Sequence, residues 1–215
     1  MEIFELAASL GKSTAVMSTD LYTGATPSSF SAHTGDRGNS EEILADQQLL
    51  TSQYGTILKC DYNYYNKQEI NAIEGYVTDT LDRLDDNANG FFLMYEEAHI
   101  DKHCHNNDMQ GAFRAVLRFN QVIARFMEYA FYHPNTFVLI TADHETGGLT
   151  PNSAGGFSYT STGHTGQNVP VFAYGDGAEL FSGLTVENIQ IPQTIAAFWG
   201  VKDFGDQSTY QSLKK

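Results

Sequence analysis

Four short runs constrain what this chain can fold into more than any other feature: Ser13–Thr19, Phe91–Met94, Phe137–Ile140 and Val169–Tyr174. Each is too short for an ordinary helix, is apolar or β-prone, and is marked off by turn residues, with Asp20 closing the first and Asn89-Gly90 opening the second. Between them the apolar spacing turns helical. Ile70, Ile73, Val77, Leu81 and Leu84 follow that spacing, as do Phe113, Val116, Leu117, Ile123 and Met127 within a longer stretch from Met109 to Tyr132. The first ten residues read as a helix stopped by Gly11, and a last helix begins near Pro192, a residue tolerated in a first turn. Leu21–Asn39 and residues 147–168 are rich in Gly, Ser, Thr and Asn or Asp and read as loops. Short apolar strands alternating with helices predict an α/β fold, a mainly parallel sheet with helices on both faces. No repeat or linker divides residues 1–215, so they read as one domain. The chain opens on a helix and then a strand, half of an α/β unit, and so reads as opening in mid-motif.

Composition narrows the function. With 215 residues, 41% hydrophobic and 18% charged, the chain suits a globular domain with a substantial core. A formal net charge of -14 argues against a nucleic-acid partner, which needs clustered Lys and Arg. It leaves a small anionic substrate open, because bound cations invert a local field. No run approaches the roughly 18 apolar residues that cross a bilayer. The N-terminal Met1-Glu2-Ile3-Phe4-Glu5-Leu6 lacks the basic flank and apolar stretch of a signal peptide. Two cysteines are too few for a disulfide framework: Cys60 ends an apolar run and reads as a small buried hydrophobe, while Cys104 lies between two histidines.

The residues able to do chemistry collect just beyond the predicted strands, the edge where open α/β sheets bind ligands. Phe91–Met94 runs into a segment holding Glu96, His99, Asp101, His103, Cys104 and His105, and Phe137–Ile140 runs into Asp143-His144-Glu145. A third group, Ser161 to Gly166 with His164 at its centre, precedes the last run. Asp101 and His105 are four apart, so on a helical turn they share one face and each can give a bond to one zinc. Cys104 would then point away from that metal. Asp143 and His144 are neighbours, which normally face opposite ways, so sharing an ion requires the backbone to turn there. Any one of these pairs alone is better explained as a turn or a solvated helix face. His133 reads as a surface residue and His33 as a packing or hydrogen-bonding one. Three such groups at three strand-end positions outweigh those separate explanations.

In order and spacing these segments resemble the alkaline phosphatase family. Phe92-Leu93-Met94-Tyr95-Glu96, Ile100-Asp101 with His105, the octapeptide Thr141 to Gly148, His164-Thr165-Gly166, and Ala25-Thr26-Pro27 through Ala32-His33 to Arg37 carry the likeness. It covers most of residues 1–37 and 85–200, whereas 40–70 is weaker and shorter than the family usually carries. The resemblance implies hydrolysis of small-molecule phosphate monoesters with two Zn2+ and one Mg2+. Asp101, His105 and His164 would form the first zinc site, Asp143 and His144 part of the second, and Thr26 and Glu96 part of the magnesium site. Arg37 matches the arginine that clamps two oxygens of the substrate phosphate, a task its planar fork suits. Lys102 matches a position that is lysine in some members and histidine or tryptophan in others; its ammonium could contact phosphate through water, and a solvated surface lysine is an equal reading.

The departures from the pattern matter as much. The family's metal-bridging aspartate and its Asp-Ser nucleophile match no position here, and residues 1–215 contain no Asp-Ser dipeptide. The second zinc site and the magnesium site each therefore lack a carboxylate. Gly24 stands where the family commonly has an acidic residue or histidine near the magnesium. The resemblance implies a C-terminal portion of the enzyme, its parallel sheet incomplete on the N-terminal side, that is inactive alone, with the missing N-terminal piece as a partner. A non-catalytic metal- and phosphate-binding fragment is the alternative. It also implies a periplasmic or extracellular location and admits a homodimer.

Overall fold

The computed structural model describes residues 2–60 and 70–205, with the side chains of Cys60 and residues 70–74 outside the description. The burial expected of Cys60 and the inward faces expected of Ile70 and Ile73 therefore lie outside the described residues. The chain divides into two compact units, residues 1–125 with 145–166 and residues 126–144 with 167–215. No linker in the sequence marks that division.

In the first unit, β1 (Ser13–Ser18) lies between β2 (Ile57–Cys60) and β3 (Phe91–Glu96), and both pairings are parallel. Val16 faces Leu58 on one side and Met94 on the other. Ala15, Val16 and Met17 are all fully buried. Successive strand residues point to opposite faces, so both faces of β1 are covered, as an apolar strand without alternation requires. This is the expected α/β arrangement with a parallel sheet, and β3 stands at one end of it among the described residues.

Helix α1 (Ile3–Ser9) precedes β1, and the chain turns between them at Gly11, whose φ of +74° suits a residue without Cβ. Glu5 closes the start of α1 by accepting a bond from the Glu2 backbone N–H at 2.9 Å. Phe4 is buried edge-on against Phe92 of β3, with ring centres 4.9 Å apart. The stretch from Leu21 to Asn39 is not loop throughout, because Ala25–Ser31 forms α2. Its serines fold back onto the helix, Ser28 Oγ donating to the Ala25 carbonyl at 3.1 Å and Ser31 Oγ to the Pro27 carbonyl at 2.7 Å. Polar side chains that read as loop thereby become compatible with a helix. Next come α3 (Ser40–Tyr54), capped by Asn39 and ended by Gly55, α4 (Ile70–Asp85), α5 (His99–His105) and α6 (Met109–Tyr132).

The expected loop 147–168 contains short ladders. β5 (Glu145–Thr146) pairs with β8 (His164–Thr165), and β6 (Thr150–Pro151) with β7 (Phe157–Ser158), all antiparallel. In the second unit β4 (Phe137–Ile140) pairs with β9 (Phe172–Gly175), also antiparallel, and α7 (Gln190–Phe198) follows. An apolar run identifies a strand but not the direction of its partner, so the antiparallel pair was not legible in the alternation pattern. No helix among the described residues is long and apolar enough to cross a membrane.

Candidate metal centre

The centre starts at the C-terminal end of the parallel sheet, where β1 and β3 finish side by side. Thr19, just past β1, holds the segment that leaves β3. Its hydroxyl donates to Glu97 Oε1 at 3.0 Å, accepts from the Ala98 N–H at 3.0 Å, and its carbonyl meets His99 Nε2 at 3.1 Å. The Glu97 carboxylate is buried and also accepts from the His99 N–H at 3.2 Å and from Arg118 of α6 at 3.5 Å. Burial pushes the Glu97 carboxyl pKa upward against the opposing pull of Arg118. Helix α5 is thus anchored at its first turn before it presents Asp101 and His105.

One turn along α5, Asp101 and His105 face the same way, with His105 Nε2 3.3 Å from Asp101 Oδ1. His164, delivered by β8, brings its Nε2 within 3.1 Å of His105 Nε2 and 3.5 Å of Asp101 Oδ1. A triangle with those sides has a point about 1.9 Å from all three corners, and zinc bonds N and O at roughly 2.0–2.1 Å. Asp101, His105 and His164 would therefore hold one such ion with little movement of their donor atoms. One oxygen and two nitrogens are donors that suit zinc.

Two further bonds aim these donors. His105 Nδ1 donates to the Thr162 carbonyl at 2.6 Å, which fixes the tautomer and leaves Nε2 with its lone pair toward the centre. Thr146 Oγ1 donates to Asp101 Oδ1 at 2.6 Å, and the β5–β8 ladder places Thr146 directly opposite His164. Thr146 and the Thr162 carbonyl were not among the sequence candidates. Thr146 lay inside the octapeptide, but a backbone carbonyl leaves no mark in a sequence.

The other candidates are placed as follows. Asp143 and His144 belong to the second unit, where the backbone bends as their adjacency demands, and they bond each other, His144 Nε2 lying 3.3 Å from Asp143 Oδ2. Ser18 Oγ donates to Glu96 Oε2 at 2.5 Å while accepting from the Asp20 N–H at 3.0 Å, which orients that carboxylate. Thr26 sits in the first turn of α2, and its hydroxyl makes no hydrogen bond among the described residues. A hydroxyl with a carboxylate suits magnesium, although no bond joins Thr26 to Glu96. A Cβ at Gly24 would come within 3.0 Å of the Leu21 carbonyl, so the turn before α2 favours glycine. Arg37 is exposed between α2 and α3, without a side-chain bond or ion pair among the described residues. Lys102 forms an ion pair with Asp20. Cys104 points away from the centre toward the Tyr159 hydroxyl, 3.6 Å away, and burial pushes its thiol pKa up. His33 bonds Glu5 at 2.9 Å, as a hydrogen-bonding histidine should. His133 is not simply at the surface: its ring stacks on Tyr129 with centres 4.0 Å apart.

An α/β chain with a preformed three-donor centre just past its parallel strands is the class of protein that fold and site define. The sequence profile of the alkaline phosphatase family matches residues 58–158. Alkaline phosphatase 4 of Bacillus subtilis is 24% identical over 306 residues, covering 85% of this chain and 66% of that protein. Streptomycin-6-phosphate phosphatase of Streptomyces griseus is 31% identical over 136 residues, covering 53% of this chain and 30% of that protein. Among solved structures, alkaline phosphatase from the Antarctic bacterium TAB5 superposes with a TM-score of 0.76 at 25% identity, covering 95% of this chain and 75% of that one. A variant of that enzyme, with Mg bound in the M3 site, gives a TM-score of 0.77 at 25% identity, covering 95% of this chain and 76% of that one. The chain resembles the alkaline phosphatase family over those matched residues. It spans 66%, 46% and 35% of three curated relatives, so each of them carries sequence that has no counterpart here.

Proposed function

We propose that residues 1–215 form the metal- and phosphate-holding portion of a phosphate monoester hydrolase that works with two zinc ions and one magnesium ion. The observation that carries this reading is the convergence of Asp101, His105 and His164, whose three donor atoms already lie 3.1–3.5 Å apart. The names of the relatives, alkaline phosphatases and a streptomycin-6-phosphate phosphatase, support a phosphate monoester as substrate. When bound, zinc supplies Lewis acidity to a phosphate oxygen and lowers the pKa of a coordinated water.

The residues of this chain hold and orient. Asp101 and His105 present two donors from one helical turn, and Thr146 and the Thr162 carbonyl keep those donors aimed. Asp143 and His144 hold the second zinc, and Thr26 and Glu96 the magnesium. Arg37, lacking an ion-pair partner among the described residues, offers a planar fork to two phosphate oxygens. Lys102 adds a positive charge one residue from Asp101, restrained by Asp20. In this reading the nucleophilic serine lies outside residues 1–215, which contain no Asp-Ser dipeptide.

The test is to measure zinc uptake, inorganic phosphate binding and aryl phosphate turnover by the 215-residue chain. Zinc and phosphate should bind, with turnover far below the roughly 1–1000 per second of ordinary enzymes. Zinc-dependent turnover within that range would show that a group inside the chain serves as nucleophile. A chain that takes up no zinc would remove the basis of the proposal.

A further inference from the structure

Asn107, two residues beyond His105, has a φ of +53°, the sole non-glycine residue with positive φ among those described. Helices commonly end on such a left-handed residue, and glycine is the usual choice because a Cβ is disfavoured there. Asparagine occupies the position instead, and its side chain has a use. With the amide nitrogen turned toward the two carbonyls that surround it, Asn107 Nδ2 donates to Cys104 O at 3.2 Å and to Ser161 O at 2.8 Å. The Asn107 backbone N–H also bonds the Cys104 carbonyl, at 3.0 Å.

These bonds connect two segments that must stay in register. Cys104 belongs to α5, which carries Asp101 and His105, and Ser161 precedes His164 by three residues. Other contacts join the same segments: His105 Nε2 to His164 Nε2, His164 Nε2 to Asp101 Oδ1, His105 Nδ1 to the Thr162 carbonyl, and Cys104 Sγ to the Tyr159 hydroxyl. The first three involve the candidate ligands themselves and the last is part of the core. Behind them the fit is tight, since a Cβ on Gly147 would lie 2.6 Å from the Tyr159 ring. Asn107 connects the segments through a side chain that is neither a candidate ligand nor part of the core.

We propose that Asn107 is a positioning residue: its amide clasps the His164 segment to α5, sets the separation of His164 from the Asp101–His105 pair, and thereby raises zinc affinity. The inference rests on the reading that these three residues hold zinc. Outer residues that orient ligands are typically worth 10–100-fold in metal affinity, so an effect of that size is expected.

Two substitutions separate the clasp from the backbone turn. Asn107→Gly keeps the N–H and relieves the left-handed strain but removes the amide. Asn107→Asp keeps the size and shape but cannot donate, and it sets a carboxylate against two carbonyl oxygens. Zinc affinity would be measured by chelator competition on the whole chain, and hydrogen exchange over residues 159–164 on the metal-free chain. Both variants should lose about 10–100-fold in zinc affinity and exchange faster in that segment, while Asn107→Gly unfolds no more easily than the parent. Parental zinc affinity in Asn107→Gly would overturn the proposal and reduce Asn107 to a helix-end turn. Loss in the glycine variant with full retention in the aspartate variant would also overturn it, because aspartate cannot make the two bonds. A parent chain that binds no zinc overturns the zinc reading and this inference together, whereas a zinc-binding parent with unaffected variants overturns this inference alone.

Discussion

The Asp101–His105–His164 cluster and the Asp143–His144 pair offer the same kinds of donor and differ in what holds them. In the cluster, donors from a helix and from a separate strand converge, and neighbours that would not touch the metal fix two of them: Thr146 on Asp101 and the Thr162 carbonyl on His105. In the pair, the carboxylate and imidazole are consecutive residues that bond each other, through both the His144 N–H at 3.1 Å and Nε2 at 3.3 Å. A cation entering the cluster meets lone pairs already gathered around one point. The pair offers a cation two donors, 3.3 Å apart on consecutive residues, and the His144 backbone N–H competes for the same carboxylate. The lesson is that ligating residue types are a weaker guide to a metal site than the number of separate segments that deliver donors and the outside bonds that aim them.

That contrast can be broken most directly by removing one ligand at a time. His105→Ala should reduce zinc affinity at the tightest site by more than about 100-fold, beyond the range typical of outer residues. His144→Ala should leave that tightest site nearly intact and remove only a weaker equivalent of metal. Equilibrium dialysis with metal analysis reads both. Equal losses in the two variants would erase the distinction between a three-donor cluster aimed by outside bonds and a two-donor pair on consecutive residues.

A smaller effect sharpens the same point. Thr146→Val removes the hydroxyl that donates to Asp101 while keeping the β-branched shape, and it should weaken zinc binding about tenfold. Thr146→Ser, which restores the donor, should recover most of that loss. If serine fails to rescue, the threonine matters for packing at the β5–β8 ladder and not for aiming the carboxylate.

Much of this was readable in advance, and the gaps have physical reasons. The helix from Met109 to Tyr132 and the strand Phe137–Ile140 have the limits their apolar spacing predicts, because long periodicity and a run bounded by turns are strong signals. Helix α2 was missed because Ser and Thr predominate in its sequence, and only the fold shows Ser28 and Ser31 bonded back to their own helix. Asp101 and His105 could be paired from their spacing of four. His164 joins them through a two-residue ladder too short for any periodic signal, and was legible only through the family likeness. Thr146, Asn107 and the Thr162 carbonyl act through tertiary contacts that no local pattern encodes. The stacking of His133 on Tyr129 was open to view in the sequence, since residues four apart share a helix face.

The smallest expected effect concerns the anchor behind the cluster, where burial and charge compete. Glu97 is enclosed by Thr19, the start of α5 and Arg118, and its carboxyl pKa is raised, chiefly by burial, above the ordinary carboxylate value. A carboxyl whose folded pKa exceeds its unfolded one binds a proton more tightly in the folded state. Its stabilising contribution is therefore complete below the unfolded pKa of about 4.5 and is lost as pH rises through the folded value. Glu97→Gln keeps an oxygen for Thr19, the His99 N–H and Arg118 but does not titrate. The difference in melting temperature, variant minus parent, should therefore rise in favour of the variant as pH climbs from about 4 through the raised pKa, and then level off. The shift should be modest, because the variant also removes the charge that Glu97 sets against Arg118. A parent that instead gains on the variant with rising pH would mean that the ion pair outweighs burial. The anchor of α5 would then be an electrostatic tie to α6, not a buried hydrogen-bond junction.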